Sequence, residues 1–151
     1  MVGSWPTHDL PNLTDETCVV RSPATTKYNC IAWATSNTGR WWWPDPLQIG
    51  YWPPNVLREV TFDAFVLAFS TLGYVPCEDG APNVGIEKIA LFGTLAPDGV
   101  VVPTHAALQS EDGRWTSKLG TFEDIEHATL TALDGPVYGA VVCYLKRPRP
   151  G

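Results

Sequence analysis

Glycine and proline recur along the whole of this sequence, and they limit the length of any helix or strand that it can form. The chain of 151 residues contains 13 glycines and 14 prolines, a proportion that is high for a folded protein but below that of disordered ones. Proline breaks helices, and glycine permits the backbone conformations that tight turns need. We therefore predict short elements joined by many tight turns.

The length fits a single domain, in which we distinguish an N-terminal arm (residues 1–26) from a core (residues 28–145). With 44% hydrophobic and 17% charged residues, the chain is expected to fold around a buried core. A net charge of −6 provides no excess of basic side chains for phosphates, so we expect no nucleic-acid partner. Because neither a membrane-spanning apolar run nor a secretory signal is visible, we expect no membrane partner and a cytoplasmic location.

Hydrophobic periodicity predicts two helices early in the core. The first follows Asn29, a good N-cap residue, and ends before Gly39. The second is capped by Thr61 and ends at Gly73, with large apolar residues along one face. A third helix is predicted over residues 121–133, where Thr121 and Asp124 resemble a capping box.

Apolar residues with a period of two predict strands in the rest of the chain. These strands cover residues 18–21, 74–77, 87–92, 100–109, 114–118 and 137–145. Helices followed by an antiparallel meander predict an α+β fold, with the helices packed on one side of the sheet.

Cys30 is the residue that most favours a chemical function. It comes directly after the predicted N-cap, where free backbone N–H groups and the helix dipole stabilise a thiolate. The alternative is that Cys30 is a small core residue. The four cysteines lie too far apart for a zinc finger, so we expect no metal and no cofactor.

His105 lies in the predicted strand 100–109, beside the small residues Ala106 and Ala107. It is either a hydrogen-bonded core histidine or a general base that faces a cleft. A cysteine at a helix start and a histidine on a strand form the pair that nucleophilic acyl transfer needs.

The hairpin after His105 determines which residue could orient its ring. A three-residue loop over 111–113 places Ser117 opposite Ala107, on the same face as His105. A two-residue loop would put Lys118 there instead, and Glu123 or Asp124 could fold back from beyond the strand. We select Cys30, His105 and Ser117 as the candidate catalytic residues.

Three blocks of this sequence carry a family resemblance: YNCIAWA (residues 28–34), THAA (104–107) and DGRWTSKLG (112–120). In this context the chain resembles the papain-like cysteine hydrolases of bacteria, the group that includes the NlpC-type cell-wall peptidases and many uncharacterised relatives. The resemblance implies a papain-like core, with the Cys30 helix packed on an antiparallel sheet of about five strands. It also implies a third polar residue on the strand after His105, usually Asn, His, Asp or Gln, where this sequence has Ser117.

Candidate substrate-binding residues surround Cys30 in the sequence. An oxyanion hole would combine the N–H of Cys30 with a donor from Tyr28 or Asn29. Three consecutive tryptophans follow at residues 41–43, and they either seal the edge of the core or form a wall of a binding groove. We assign Trp42 and Trp43 to the groove.

These features predict a thiol hydrolase or acyltransferase that acts on an amide, peptide or ester bond through Cys30 and His105. The alternative is a non-catalytic binding module on the same fold, which uses the tryptophan-rich groove. A third hypothesis is an interaction protein whose acidic surface docks on a basic protein partner.

Overall fold

A computed structural model describes residues 3–150 and arranges them around one antiparallel sheet of seven strands. The strands are β1 (Cys18–Ser22), β2 (Val75–Cys77), β3 (Ile86–Leu95), β4 (Val101–Gln109), β5 (Trp115–Lys118), β6 (Asp124–His127) and β7 (Ala140–Pro148). The helices are α1 (Cys30–Ala34) and α2 (Phe62–Ser70), with a 3-10 turn over Thr131–Leu133. Across the sheet, the strand order is β1-β6-β5-β4-β3-β7-β2.

Side-chain caps begin both helices where the sequence predicted them. The Oδ1 atom of Asn29 accepts a hydrogen bond from the Ala32 N–H at 3.2 Å, at the start of α1. Thr61 caps α2 in the same way, and Gly73 follows that helix with a φ of +91°. These two helix predictions are confirmed. The sequence could predict both helices because their capping signals come from neighbouring residues.

The predicted architecture was wrong. Instead of a papain-like core with a helix packed on about five strands, the described chain forms an open sheet of seven strands and is about 11% helical. One difference lies at an edge of the sheet, where the predicted strand β1 pairs with β6. The strand β6 occupies part of the segment that was predicted to be the third helix.

Long-range hydrogen bonds explain why residues 121–133 do not form a helix. The Asp124 carboxylate accepts hydrogen bonds from the Ser22 hydroxyl at 2.5 Å and from the Tyr28 hydroxyl at 2.8 Å, so it does not serve a capping box. Ile125 and His127 are buried on the opposite face of the same strand. The pairing of β6 with two neighbouring strands therefore overrides the local helix signal.

The sheet separates two apolar clusters, which we name by what covers them. One cluster lies between the sheet and the helices α1 and α2, and we call this side of the sheet the helix face. The residues of this cluster include Ile31, Phe65, Phe69, Ile89, Leu91 and Ala106. The arm face packs against the N-terminal arm; its residues include Trp5, Leu13, Ala90, Phe92, Ala107 and Ile125. Adjacent residues of β3 and β4 alternate between the two faces, as the strand period requires.

Candidate functional site

A pocket of about 360 Å³ opens at the start of α1, and we call it the Cys30 pocket. Its lining residues are Asn29, Cys30, Trp41, Trp43, Thr104, Gly120 and Tyr138. The volume is in the range of small-molecule sites, and three aromatic rings form much of the wall. The predicted nucleophile therefore lies in a pocket with a predominantly aromatic boundary.

Asn29 connects the tryptophan-rich loop to the start of α1. Besides capping the helix, its Oδ1 atom accepts from the Trp42 N–H at 3.0 Å, and its Nδ2 atom donates to the Trp42 carbonyl at 2.7 Å. These bonds fix the backbone between Trp41 and Trp43 beside Cys30. In this structure Asn29 shapes the pocket through the backbone of the loop.

The Cys30 thiol is protonated at neutral pH. Burial raises the pKa of Cys30 to about 11, although the backbone N–H groups of Ala106 and Ile31 and the charge of Lys118 act in the opposite direction. The N–H groups of the helix start stabilise the thiolate, as the sequence predicts, but desolvation has the larger effect. The sulfur thus needs a base before it can act as a nucleophile.

His105 is fully buried and points to the arm face of the sheet. Its cross-strand partner is Phe92, whose ring lies 5.4 Å away, and it stacks on Tyr138 at 4.2 Å. Neither ring nitrogen has a hydrogen-bond partner among residues 3–150. Burial, and secondly the repulsion between His105 and His127 when both are protonated, hold the pKa of His105 well below its ordinary value, so the imidazole is neutral.

Cys30 lies on the helix face of the sheet and His105 on the arm face. Ala106, directly after His105, faces α1, and its N–H stabilises the Cys30 thiolate. Tyr138 stacks on His105 and also lines the Cys30 pocket. The structure thus places the imidazole beneath a wall of the pocket, but no hydrogen bond joins it to the sulfur.

Ser117 shares the arm face with His105, as the hairpin register predicted. The register itself is confirmed, because Gln109 pairs with Trp115 and the Ser110 N–H donates to the Arg114 carbonyl. However, the hydroxyl of Ser117 lies 2.9 Å from Nε2 of His127, and not beside His105.

The partners of His127 determine its tautomer. Its Nδ1 atom lies 2.8 Å from the Thr129 carbonyl, which can only accept, so Nδ1 carries the proton and Nε2 accepts from Ser117. Burial lowers the pKa of His127 to about 4. Ser117 therefore orients a different histidine from the one that the sequence analysis assigned to it.

The other predicted binding residues divide between the pocket and the core. Trp43 lines the pocket, whereas the ring of Trp42 is buried against Tyr51, with a centroid distance of 4.7 Å. Tyr28 is buried and its hydroxyl donates to Asp124, so it is not directed at a ligand. The sequence analysis missed Tyr138, which lies far from Cys30 in the chain and carried no local signal.

Two further findings limit the kinds of site in the described part of the chain. Among residues 3–150, no group of three histidine, cysteine or acidic side chains is placed to hold a metal ion. No helix in this range has the length and apolarity needed to cross a membrane.

Comparison with known proteins identifies a family. Residues 19–146 match the model of a domain of unknown function, DUF7689. Because this match covers most of the sequence, the chain belongs to that family. No curated protein and no solved structure matches it significantly.

Proposed function

We propose that this member of the DUF7689 family is a thiol hydrolase or acyltransferase, which acts on an amide or ester carbonyl held in the Cys30 pocket. The observation that supports this most is the combination of a pocket cysteine at a helix start with a buried imidazole directly beneath Tyr138. Leaving two imidazole nitrogens buried without partners is costly, and such costs are typical of functional sites.

The protonation states of the two groups suit general-base catalysis. A neutral imidazole can accept the proton of a neutral thiol as the sulfur attacks the carbonyl carbon. The imidazolium then returns that proton to the leaving group as the carbonyl–leaving-group bond breaks. Water, or another acceptor, finally displaces the acyl group from the sulfur.

This mechanism requires His105 to turn towards Cys30 when a ligand enters. In the ligand-free structure the ring stacks on Tyr138 and makes no bond to the sulfur. Catalytic hydrogen bonds often form only in the complex with substrate. Because His105 lies on the arm face, a ring rotation alone cannot bring it to the sulfur, so the proposal includes a shift of the β4 backbone at the irregularity beside His105, together with the Tyr138 ring.

A non-catalytic binding module is the second candidate. It is favoured by the protonated thiol and by the absence of a hydrogen bond between Cys30 and His105 in the described chain. Trp41, Trp43 and Tyr138 would then hold a planar ligand by stacking.

Acylation by a p-nitrophenyl ester distinguishes the two candidates. We expect the wild-type protein to release nitrophenol and to carry an acyl group on Cys30, detected by mass spectrometry of the peptides. Cys30→Ala should abolish both, and His105→Gln should slow acylation by about 100-fold. The matched control is His8→Gln, which changes an exposed histidine of the arm and should leave the rate unchanged.

If the wild-type protein is not acylated at Cys30, or if His105→Gln acylates as fast as His8→Gln, the hydrolase proposal fails. Quenching of tryptophan fluorescence by planar ligands, unaffected by Cys30→Ala, would then identify the binding module.

We further propose that this activity is cytoplasmic. Cys18, Cys30, Cys77 and Cys143 are all free thiols, and unpaired cysteines are typical of a reducing compartment. Cys77 and Cys143 are partly exposed.

A further inference from the structure

Lys118 is a buried cation, and no carboxylate in the described chain lies within salt-bridge distance of it. Its side chain is fully buried. The Nζ atom donates to the carbonyl oxygens of Thr25 at 2.9 Å and of Gly120 at 2.6 Å, and it lies 5.2 Å from the centre of the Tyr28 ring. Buried ammonium groups are usually paired with an anion, so burying Lys118 without one costs folding free energy.

The position of Lys118 associates it with the Cys30 pocket. It lies two residues after Thr116, whose hydroxyl accepts from the Trp33 ring N–H, so both residues face α1. Gly120, whose carbonyl holds the ammonium, also lines the pocket. Lys118 thus lies on the same side of the sheet as Cys30, whereas His105 lies on the other.

The carboxylates whose charges act on Lys118 are bound by other groups. Asp124 faces the same side, but its carboxylate is bound by Ser22 and Tyr28, and its Oδ1 atom has no partner. Glu123 is bound to Ser4. Of the three N–H groups of the ammonium, two are used by carbonyl oxygens.

We propose that Lys118 is a positioning residue for the reaction at Cys30, whose ammonium stabilises the negative charge that forms on the sulfur. Burial lowers the pKa of Lys118, while the charges of Asp124 and Cys30 raise it. Reciprocally, the charge of Lys118 lowers the pKa of Cys30. The role of Lys118 in the reaction rests on the proposed function, whereas its effect on the pKa of Cys30 can be measured without a substrate.

The test compares Lys118→Met with Lys27→Met, which removes the same charge from an exposed position near Tyr28. Alkylation of Cys30 by iodoacetamide at pH 9 is followed by mass spectrometry of the Cys30 peptide. Because removing this charge raises the thiol pKa and so lowers the thiolate fraction, we expect Lys118→Met to slow alkylation several-fold. Lys27→Met should react at the wild-type rate.

Equal alkylation rates in Lys118→Met and Lys27→Met, with both variants folded by circular dichroism, would overturn the proposal. If Lys118→Met does not fold, NMR titration of the Lys118 side chain in the wild type and in Cys30→Ala replaces it. Loss of the sulfur charge should lower the pKa of Lys118, and an unchanged midpoint overturns the inference.

The two proposals fail in distinguishable ways. If the wild type acylates at Cys30 but Lys118→Met alkylates normally, only the role of Lys118 is wrong. If Lys118→Met slows alkylation but no ester acylates Cys30, the charge coupling stands and the hydrolase is wrong.

Discussion

Burial decides the ionisation of the site residues more strongly than their local hydrogen bonds do. Cys30 lies at a helix start and near a cation, and still has a raised pKa. His105 and His127 are kept neutral by the same desolvation, although the Thr129 carbonyl favours a charged His127. Ordinary pKa values assigned from the sequence therefore do not describe these residues.

The buried histidines should make the fold sensitive to mild acid. Unfolded histidine binds a proton near pH 6.5, whereas the pKa of folded His127 is about 4. Between these values the unfolded state holds more protons, so the free energy of unfolding falls as the pH falls. Below pH 6.5 the loss approaches about 1.4 kcal/mol per pH unit for each buried neutral histidine, and urea unfolding at pH 7, 6 and 5 measures it.

Two variants test whether His127 causes this pH dependence of stability. His127→Gln should reduce the slope of stability against pH, whereas exposed His8→Gln should leave it as in the wild type. A wild-type free energy of unfolding that is the same at pH 7 and pH 5 would contradict the neutral buried state.

Among the elements, those defined by adjacent residues could be predicted and those defined by distant partners could not. Asn29 and Thr61 cap their helices through residues three positions away, and Gly113 turns the β4–β5 hairpin with a φ of +90°. The strand β6 instead depends on Ser22, which is 102 positions from Asp124.

The same distinction applies to the site. The N-cap pattern located Cys30, and the run of tryptophans located the pocket wall, with Trp41 and Trp43 in the pocket and Trp42 in the core. Which tryptophans face a ligand depends on the bonds of Asn29 to the Trp42 backbone. The contribution of Tyr138 depends on strand order, which no local pattern contains.

The loop before β7 carries Tyr138 and tolerates no side chain at Gly139. A Cβ atom at Gly139 would overlap the carbonyl oxygen of Gly93, on the neighbouring strand β3, and the φ of Gly139 is +72°. Because the obstacle is backbone, no rotamer change can relieve it. We expect Gly139→Ala to lower the free energy of unfolding by more than about 3 kcal/mol in urea.

Gly99→Ala is the matched control for this prediction. Gly99 also has a positive φ of +84°, but no atom lies within 4 Å of its Cβ position. Only the backbone cost of about 1–2 kcal/mol should appear there. Similar losses in both variants would show that the loop shifts to accommodate Gly139→Ala.

At the scale of the whole molecule, the N-terminal arm supplies part of the buried core. Trp5, Leu10 and Leu13 are buried on the arm face of the sheet, as α1 and α2 are on the helix face. Part of the core therefore lies before residue 19, where the family match begins.

Trp5→Ala should accordingly be among the most damaging single substitutions. The ring is about 1% exposed, and its removal leaves a large cavity against the arm face. We expect a loss of about 3–5 kcal/mol in the free energy of unfolding, measured in urea. Trp41→Ala, at a partly exposed pocket residue, should cost less than about 1 kcal/mol. Comparable losses would contradict the role assigned to the arm.

The strand order also determines when the pocket can exist during synthesis. Strands β3 to β6 are neighbours both in the chain and in the sheet, so they can pair as they leave the ribosome. The strand β1 has no partner until β6 has emerged, and the loop that carries Tyr138 follows later still. A nascent chain that ends at β2 already contains Cys30, Trp41 and Trp43, but it lacks the sheet that would assemble them into a site.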